Sequence, residues 1–365
     1  MTERWKNVRK YLPTFTVVTL AVALVSFILL LVSKHSYALG NAINATVSSA
    51  FRFVMAKISS IFSFSLFEVL MYLLLPIIAL IVILAVKVFR DRTARIRYAL
   101  TLLGVVAIIF TGYVFALAIP YTVTPLASRL DLPSVEITED NLYDTAKLLL
   151  DEANALSEKL EKNESGSTVM PYSLDELSEK ISASYSRLAE THDFIQSFSS
   201  RVKPIATEGA MSSLHLLGIY TYFTGESNIN VHYPDFNIPF TTAHEFAHQR
   251  GIIRENEANF IAFLVCLESD DDYIKYSGYL NLYQYLASAL YRTSADRYRV
   301  LLDGMSDAVR SEIIADREAA EKYKDSVAGK ISGFLNDRYL KMNGTEGEIS
   351  YGLVTRLAVA YYSEK

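Results

Sequence analysis

Apolar positions are distributed in two ways along this chain. In the first third they form three long runs without charge. After Pro120 they recur every three or four residues between charged ones. The runs cover residues 12–33 (LPTFTVVTLAVALVSFILLLVS), 69–86 (VLMYLLLPIIALIVILAV) and 98–119 (YALTLLGVVAIIFTGYVFALAI). At a rise of about 1.5 Å per residue, each is long enough for a hydrocarbon core of roughly 30 Å. The pattern predicts three transmembrane helices, and Pro76 in the second is tolerable in a membrane helix. The first run is too long for a signal peptide, and no small-residue cleavage site follows it.

Between the first two runs, Ile43, Val47, Phe51, Val54 and Ile58 recur at helical spacing. This predicts an amphipathic helix over 42–58, either lying in the membrane interface or packed on a domain outside it. Residues 1–120 thus read as a membrane domain and 121–365 as a second domain. Lys and Arg cluster at the N-terminus and between spans two and three, with fewer over the longer first loop. By the positive-inside rule the expectation is a multi-pass cell-membrane protein with a cytoplasmic N-terminus and an extracytoplasmic C-terminal domain.

The second domain reads as mainly α. Helices are expected over 142–160, 174–198 and 204–217, the last ending near Gly218. The segment IYTYFTGESNINVHYPDF, 219–236, alternates and has few helix formers, so it predicts a hairpin or small sheet. Helical spacing returns from Thr241, with breaks near Gly251, at 269–272 and at 343–350. The run Asp270, Asp271, Asp272 reads as a solvated helix end.

Composition narrows the function. A net charge of -5 gives no basis for nucleic-acid binding. The single cysteine, Cys266, cannot make an internal disulfide and reads as a small buried hydrophobe.

Candidate chemistry is concentrated in TTAHEFAHQRGIIRENEANF, 241–260. His244, Glu245 and His248 form H-E-x-x-H. On a helix, positions four apart share a face, so both imidazoles can reach one ion. Zn²⁺ suits two histidines and a carboxylate, and it lowers the pKa of a bound water toward about 7. Glu245 is placed to exchange a proton with that water. Gly251 can end the helix in a left-handed conformation, and a new helix follows. Glu255 in its first turn is the expected third ligand, with Glu257, about 200° round the helix, as the alternative. Asn259 shares the face of Glu255 and is placed to orient a histidine.

A plainer reading is a T-x-x-E capping box over 242–245. Against it, six histidines in 365 residues make an accidental H-E-x-x-H rarer than about one such chain in a hundred. Alternation along the hairpin puts Glu226, Asn228 and Asn230 on one face, as a candidate substrate edge. His232 would join them, more as a structural residue than as a ligand. His215 reads as a packed or capping residue. Tyr351 is the candidate oxyanion donor, with Tyr279 and Tyr283 as rivals. The stripe Tyr276, Tyr279, Tyr283 also reads as packing.

HEFAHQRG…ENEANF, with FTGESNINVHYPDF before it, resembles the DUF3810 family of bacterial membrane proteins. The resemblance extends over most of the chain, including YTVTPLASRLDL and NDRYLKMNGTEGEISYG. The motif is in turn similar to gluzincin metallopeptidases. That resemblance implies a zincin-like helical domain, with His244, His248 and a downstream glutamate on Zn²⁺. Several gluzincins have E-x-x-x-D at the third ligand, where this chain has Asn259, and the interval from His248 to Glu255 is short for them. The expectation is a membrane-anchored zinc metallopeptidase acting on extracytoplasmic peptides or proteins. The alternative is a non-catalytic, membrane-tethered binding or sensory module with a structural or vestigial metal site. An intramembrane protease fits poorly, since His244 lies far from any span.

Overall fold

The computed structural model describes residues 10–342 and 351–363, apart from the side chains of 335–342 and of Tyr351. Tyr351 as an oxyanion donor therefore lies outside the described residues.

Local capping sets where the spans begin. α1 (Thr14–Ser33) follows Pro13, whose extended backbone ends the preceding segment. A seven-residue helix, α2 (Tyr37–Ile43), leads through a π turn at Asn44–Ser48 into α3 (Ser49–Ser59). α4 (Leu66–Val88) starts at Ser65, whose hydroxyl accepts the Glu68 N–H at 3.0 Å. α5 (Arg92–Tyr113) starts at Asp91, which accepts from Thr93 and Ala94, and continues as a π turn and a 3-10 turn to Thr122. α4 and α5 extend N-terminally beyond their apolar runs because the cap, not the hydrophobic boundary, satisfies the first N–H groups. All three helices are long and apolar enough to cross a membrane.

Thr16, Thr19, Ala23, Ser26, Leu30 and Ser33 form the buried side of α1, all small but Leu30, and α5 packs against this helix. Small residues let such helices approach closely. The Thr16 hydroxyl donates to the Leu100 carbonyl at 2.8 Å, and a Cβ on Gly104 would lie 2.8 Å from Phe15. α4 buries none of its side chains.

Residues 42–58 run as the end of α2, the π turn and α3, and they present two different faces. Ser48, Arg52, Ala56 and Ser59 are buried, whereas Val47, Val54 and Ile58 are exposed. Small and polar side chains thus point inward and apolar ones outward, the reverse of a surface helix in water.

The helical domain follows. α6 (Leu126–Arg129), α7 (Glu139–Ser157) and α8 (Leu174–Thr191) precede strand β1 (Val202–Pro204). Capping boxes at Thr138 and Ser173 start α7 and α8. Next come α9 (Ala210–Ser213), β2 (Gly218–Thr221), β3 (Glu226–Ile229), α10 (Asn237–Gln249), α11 (Glu255–Leu267) and α12 (Asp272–Thr293). α13 (Ala295–Asp303), α14 (Asp307–Glu321), α15 (Val327–Met342) and α16 (Tyr351–Tyr362) complete the described chain.

Two helical expectations fail. Residues 192–200 are not helical, and 204–217 holds only the short α9. Pro204 instead ends β1, which pairs in parallel with β3. Gly209 at φ +74° and His215 at φ +59° bound α9 with left-handed backbone that no helix accepts. The sheet order is β1-β3-β2, with β2 and β3 forming the expected antiparallel hairpin. α10 packs on this sheet on one side and on α11 and α12 on the other. Phe246 and Ala247 are fully buried there, as are Phe260, Phe263, Tyr276 and Tyr283. The tyrosine stripe on α12 is therefore packing.

Candidate metal centre

α10 begins at Asn237, with Pro239 in its first turn, where a missing N–H costs nothing. Thr242 and Glu245 thus lie inside the helix, and the capping-box reading falls. The helix ends as the glycine predicted. Gly251 has φ +88°, its N–H donates to the His248 carbonyl at 2.9 Å, and the Ile252 N–H donates to the Ala247 carbonyl at 3.0 Å. This Schellman closure turns the chain so that α11 starts at Glu255, facing back toward α10.

His244, His248 and Glu255 meet at that junction, with one ligand atom of each within 4.8 Å of the others. His244 Nε2 lies 3.3 Å from Glu255 Oε2, and His248 Nε2 lies 3.6 Å from Oε1. The two imidazoles are nearly perpendicular, at 84°. The ligands of a tetrahedral ion at about 2.0–2.1 Å stand roughly 3.3–3.4 Å apart. The two histidine–glutamate distances lie close to that spacing, so the cluster could hold a metal ion. His248 Nδ1 lies 2.9 Å from the Ile252 carbonyl, which fixes the ring and leaves Nε2 for an ion.

The three side chains are also coupled electrostatically. Burial opposes ionisation of Glu255, but the charges of His248 and His244 and hydrogen bonds from both rings hold it well below the usual carboxylate range. Burial also opposes a charged His248, yet the Glu255 charge and hydrogen bond, with smaller help from Glu245 and the Ile252 carbonyl, raise it to about 9. Glu245 is 4 % exposed. Burial pushes its carboxyl up against the lowering influence of both histidines. Its Oε2 is buried without a hydrogen-bond partner, and so is His244 Nδ1.

Other assignments change. The alternative ligand Glu257 points away into a structural cluster. It accepts from the Leu126 N–H at 2.9 Å and pairs with Arg254 at 3.0 Å and Arg129 at 3.3 Å. Asn259 lines the same cavity as the cluster but bonds neither imidazole, and its Nδ2 has no partner. The orienting group is the Ile252 carbonyl, a backbone atom that no residue pattern reveals.

Glu226, Asn228 and Asn230 are no substrate edge. β3 is the middle strand, and all three are buried. Glu226 forms a fully buried pair with Lys203 and accepts the N–H groups of Leu66 and Phe67 at 2.9 and 2.7 Å, tying the sheet to the start of α4. The strand beside the cluster is β2. Among the described residues it pairs only with β3, and Gly218, Ile219 and Tyr220 line the cavity. A Cβ on Gly218 would lie 2.4 Å from Glu245 Oε1, so only glycine leaves room for that carboxyl.

The cavity measures about 830 Å³. Tyr279 and Tyr283 are not in its wall; Tyr121, Tyr220 and Tyr285 are. His215 also lines it, with its Nε2 2.9 Å from the Tyr323 carbonyl. His232 is exposed and outside it. Asp271 caps α12 by accepting from Tyr273 and Ile274, as a helix end does. Cys266 is fully buried.

Behind the helix, two arginines close the site. Arg250 donates to the carbonyls of Gln196, Phe198 and Phe246 and stacks between Tyr185 and Phe198 at 4.1 and 4.3 Å. Arg52 of α3 lies beneath Gly251. Its guanidinium faces the carbonyls of Asn44, Phe115 and Arg250 at 3.4–3.5 Å, and a Cβ on Gly251 would sit 2.3 Å from Nη2.

No curated protein and no solved structure matches this chain. Residues 43–359 match the sequence profile described as protein of unknown function DUF3810, which takes in the loop helix, the spans after it and the metal cluster, so the chain belongs to the DUF3810 family.

Proposed function

We propose that this protein is a membrane-anchored zinc metallopeptidase with a zincin-like helical domain on the extracytoplasmic side. The observation that carries the reading is the meeting of His244, His248 and Glu255 in one cavity with a buried, half-unpartnered Glu245. Two imidazoles and one carboxylate make up the donor set of catalytic zinc sites that keep a position for water. His232 and Glu257, the candidates for a fourth ligand, lie elsewhere, which weighs against a purely structural site. The Lys and Arg distribution supports the orientation.

His244, His248 and Glu255 would hold the ion, which when bound would supply a Lewis acid and an acidified water. Glu245 takes the proton from the attacking water and passes it to the leaving amine. Gly218 keeps the carboxyl at its post by leaving space for it. An extended peptide can lie along β2, whose outer edge replaces β3 as the candidate for strand addition.

The test is E245Q in the full chain. It is expected to keep zinc, measured by elemental analysis, and to lose about 10²–10⁴-fold in peptide-pool cleavage, the usual contribution of a general base. A variant that cleaves at the wild-type rate would sink the mechanism.

A further inference from the structure

The cavity over the metal cluster is also lined by Leu117 and Tyr121, from the far end of the third candidate span. Arg92, Arg95 and Arg97 mark the other end of that span. Counting from Tyr98 at about 1.5 Å per residue, Leu117 stands about 28 Å along the helix, at the margin of a hydrocarbon core roughly 30 Å thick.

The sheet meets the membrane part at a matching level. Glu226 holds the first N–H groups of α4, while Tyr222 and Phe223 in the β2–β3 turn pack on Tyr113 and Phe67 of the spans. Such aromatic rings mark a membrane–water boundary. Another part of the wall comes from α15, through Ala328, Ile331 and Ser332. Val327, Ile331 and Phe334 share one face of that helix and are 55–72 % exposed. An exposed apolar helix face beside a cavity that begins at the membrane boundary is suited to lipid contact.

We propose that the cleft is loaded from the bilayer surface, and that its substrate is a polypeptide anchored in the same membrane and cut in the segment next to its anchor. This rests on the peptidase reading. Leu214, Leu216, Leu217, Ile219 and Ile253 make the cavity wall largely apolar, as suits a juxtamembrane segment. A round cavity of that volume is about 12 Å across, or three to four residues of extended chain. Anchoring also raises the effective concentration of a substrate at the surface.

The experiment uses the full, zinc-loaded chain in vesicles of phosphatidylethanolamine and phosphatidylglycerol. A randomised peptide pool carries either a palmitoyl anchor or an acetyl group in its place. The anchored pool is expected to be cut at least about tenfold faster, with cuts clustered within about six residues of the anchor. Equal rates would overturn entry from the bilayer and leave the peptidase reading standing. No cleavage of either pool by zinc-loaded protein would remove both.

A second readout is independent of activity. A bimane label on I331C, selective because Cys266 is fully buried, is expected to be quenched by brominated lipid. An unquenched label would place this rim in water and overturn the proposal.

Discussion

Glu255 and Glu257 stand two residues apart in the first turn of α11 and sit in opposite surroundings. Glu257 faces permanent cations, Arg129 and Arg254, and the Leu126 N–H besides. Its partners come from α6, just after the third span, and from the turn before its own helix, so it anchors α11 to the segment that leaves that span. Glu255 faces only two imidazoles, at 3.3 and 3.6 Å. Those rings can give up their protons, so a cation can take the protons' place without leaving a buried charge unpaired. A carboxylate saturated by arginines is a fastener, and one held only by histidines is open to exchange.

Removing each carboxylate separates the two roles. E257A leaves two arginines poorly compensated and is expected to cost about 3–5 kcal/mol of stability while the metal is retained, read as a fall in melting temperature beside elemental analysis. Metal loss with an unchanged melting temperature would exchange the two assignments. E255A is expected to weaken zinc by more than the roughly 10–100-fold that loss of a ligand's supporting partner costs. The metal-free variant should melt within a few degrees of the wild type. Zinc titration against a competing chelator gives the first value, and undiminished affinity would exclude Glu255 as a ligand.

A third buried carboxylate sharpens the contrast. Among the described residues Glu312 has neither arginine nor imidazole beside it; it accepts from Thr168, through its N–H at 2.6 Å and its hydroxyl. Burial, with help from Asp235 and Asp316, pushes it up to about 7 against the lowering effect of the Thr168 bonds. A raised carboxyl favours the folded state while it is protonated. Its contribution is fully present below about pH 4.5 and is lost as pH rises through about 7, on the order of 3 kcal/mol. E312Q should remove that part of the fall in melting temperature between pH 5 and pH 8, and an unchanged slope would assign it to other groups.

Much of this was legible in the chain, and the gaps have a physical cause. Spans, the hairpin, the Gly251 stop and the cluster of His244, His248 and Glu255 all follow from spacing along one or two helices. Pro239 also marked the true start of α10, a signal that outranks the T-x-x-E pattern. What stayed hidden depends on contacts between distant segments. β1 is three residues long and ends in Pro204, and its parallel pairing with β3 leaves no alternation to read. That pairing makes β3 central and turns Glu226 from a surface residue into a buried one. The room that Gly218 leaves for Glu245 and the Ile252 carbonyl behind His248 belong to the same class. Each is a relation between a residue and a backbone atom or an empty volume, and composition does not encode either.

Arg52 gives the described molecule a floor that its C-terminal two-thirds cannot supply. A truncation starting after the third span would lack the guanidinium under Gly251, and with it the closure of the very turn that aims Glu255. It would also leave Lys203 without the Ser59 carbonyl it donates to at 2.8 Å, and Glu226 without the Leu66 and Phe67 amides. Soluble fragments should therefore aggregate or misfold, and an inactive fragment would not test the proposed activity. The N-terminal helices are less a tether than the lower half of the mould in which His244, His248 and Glu255 set.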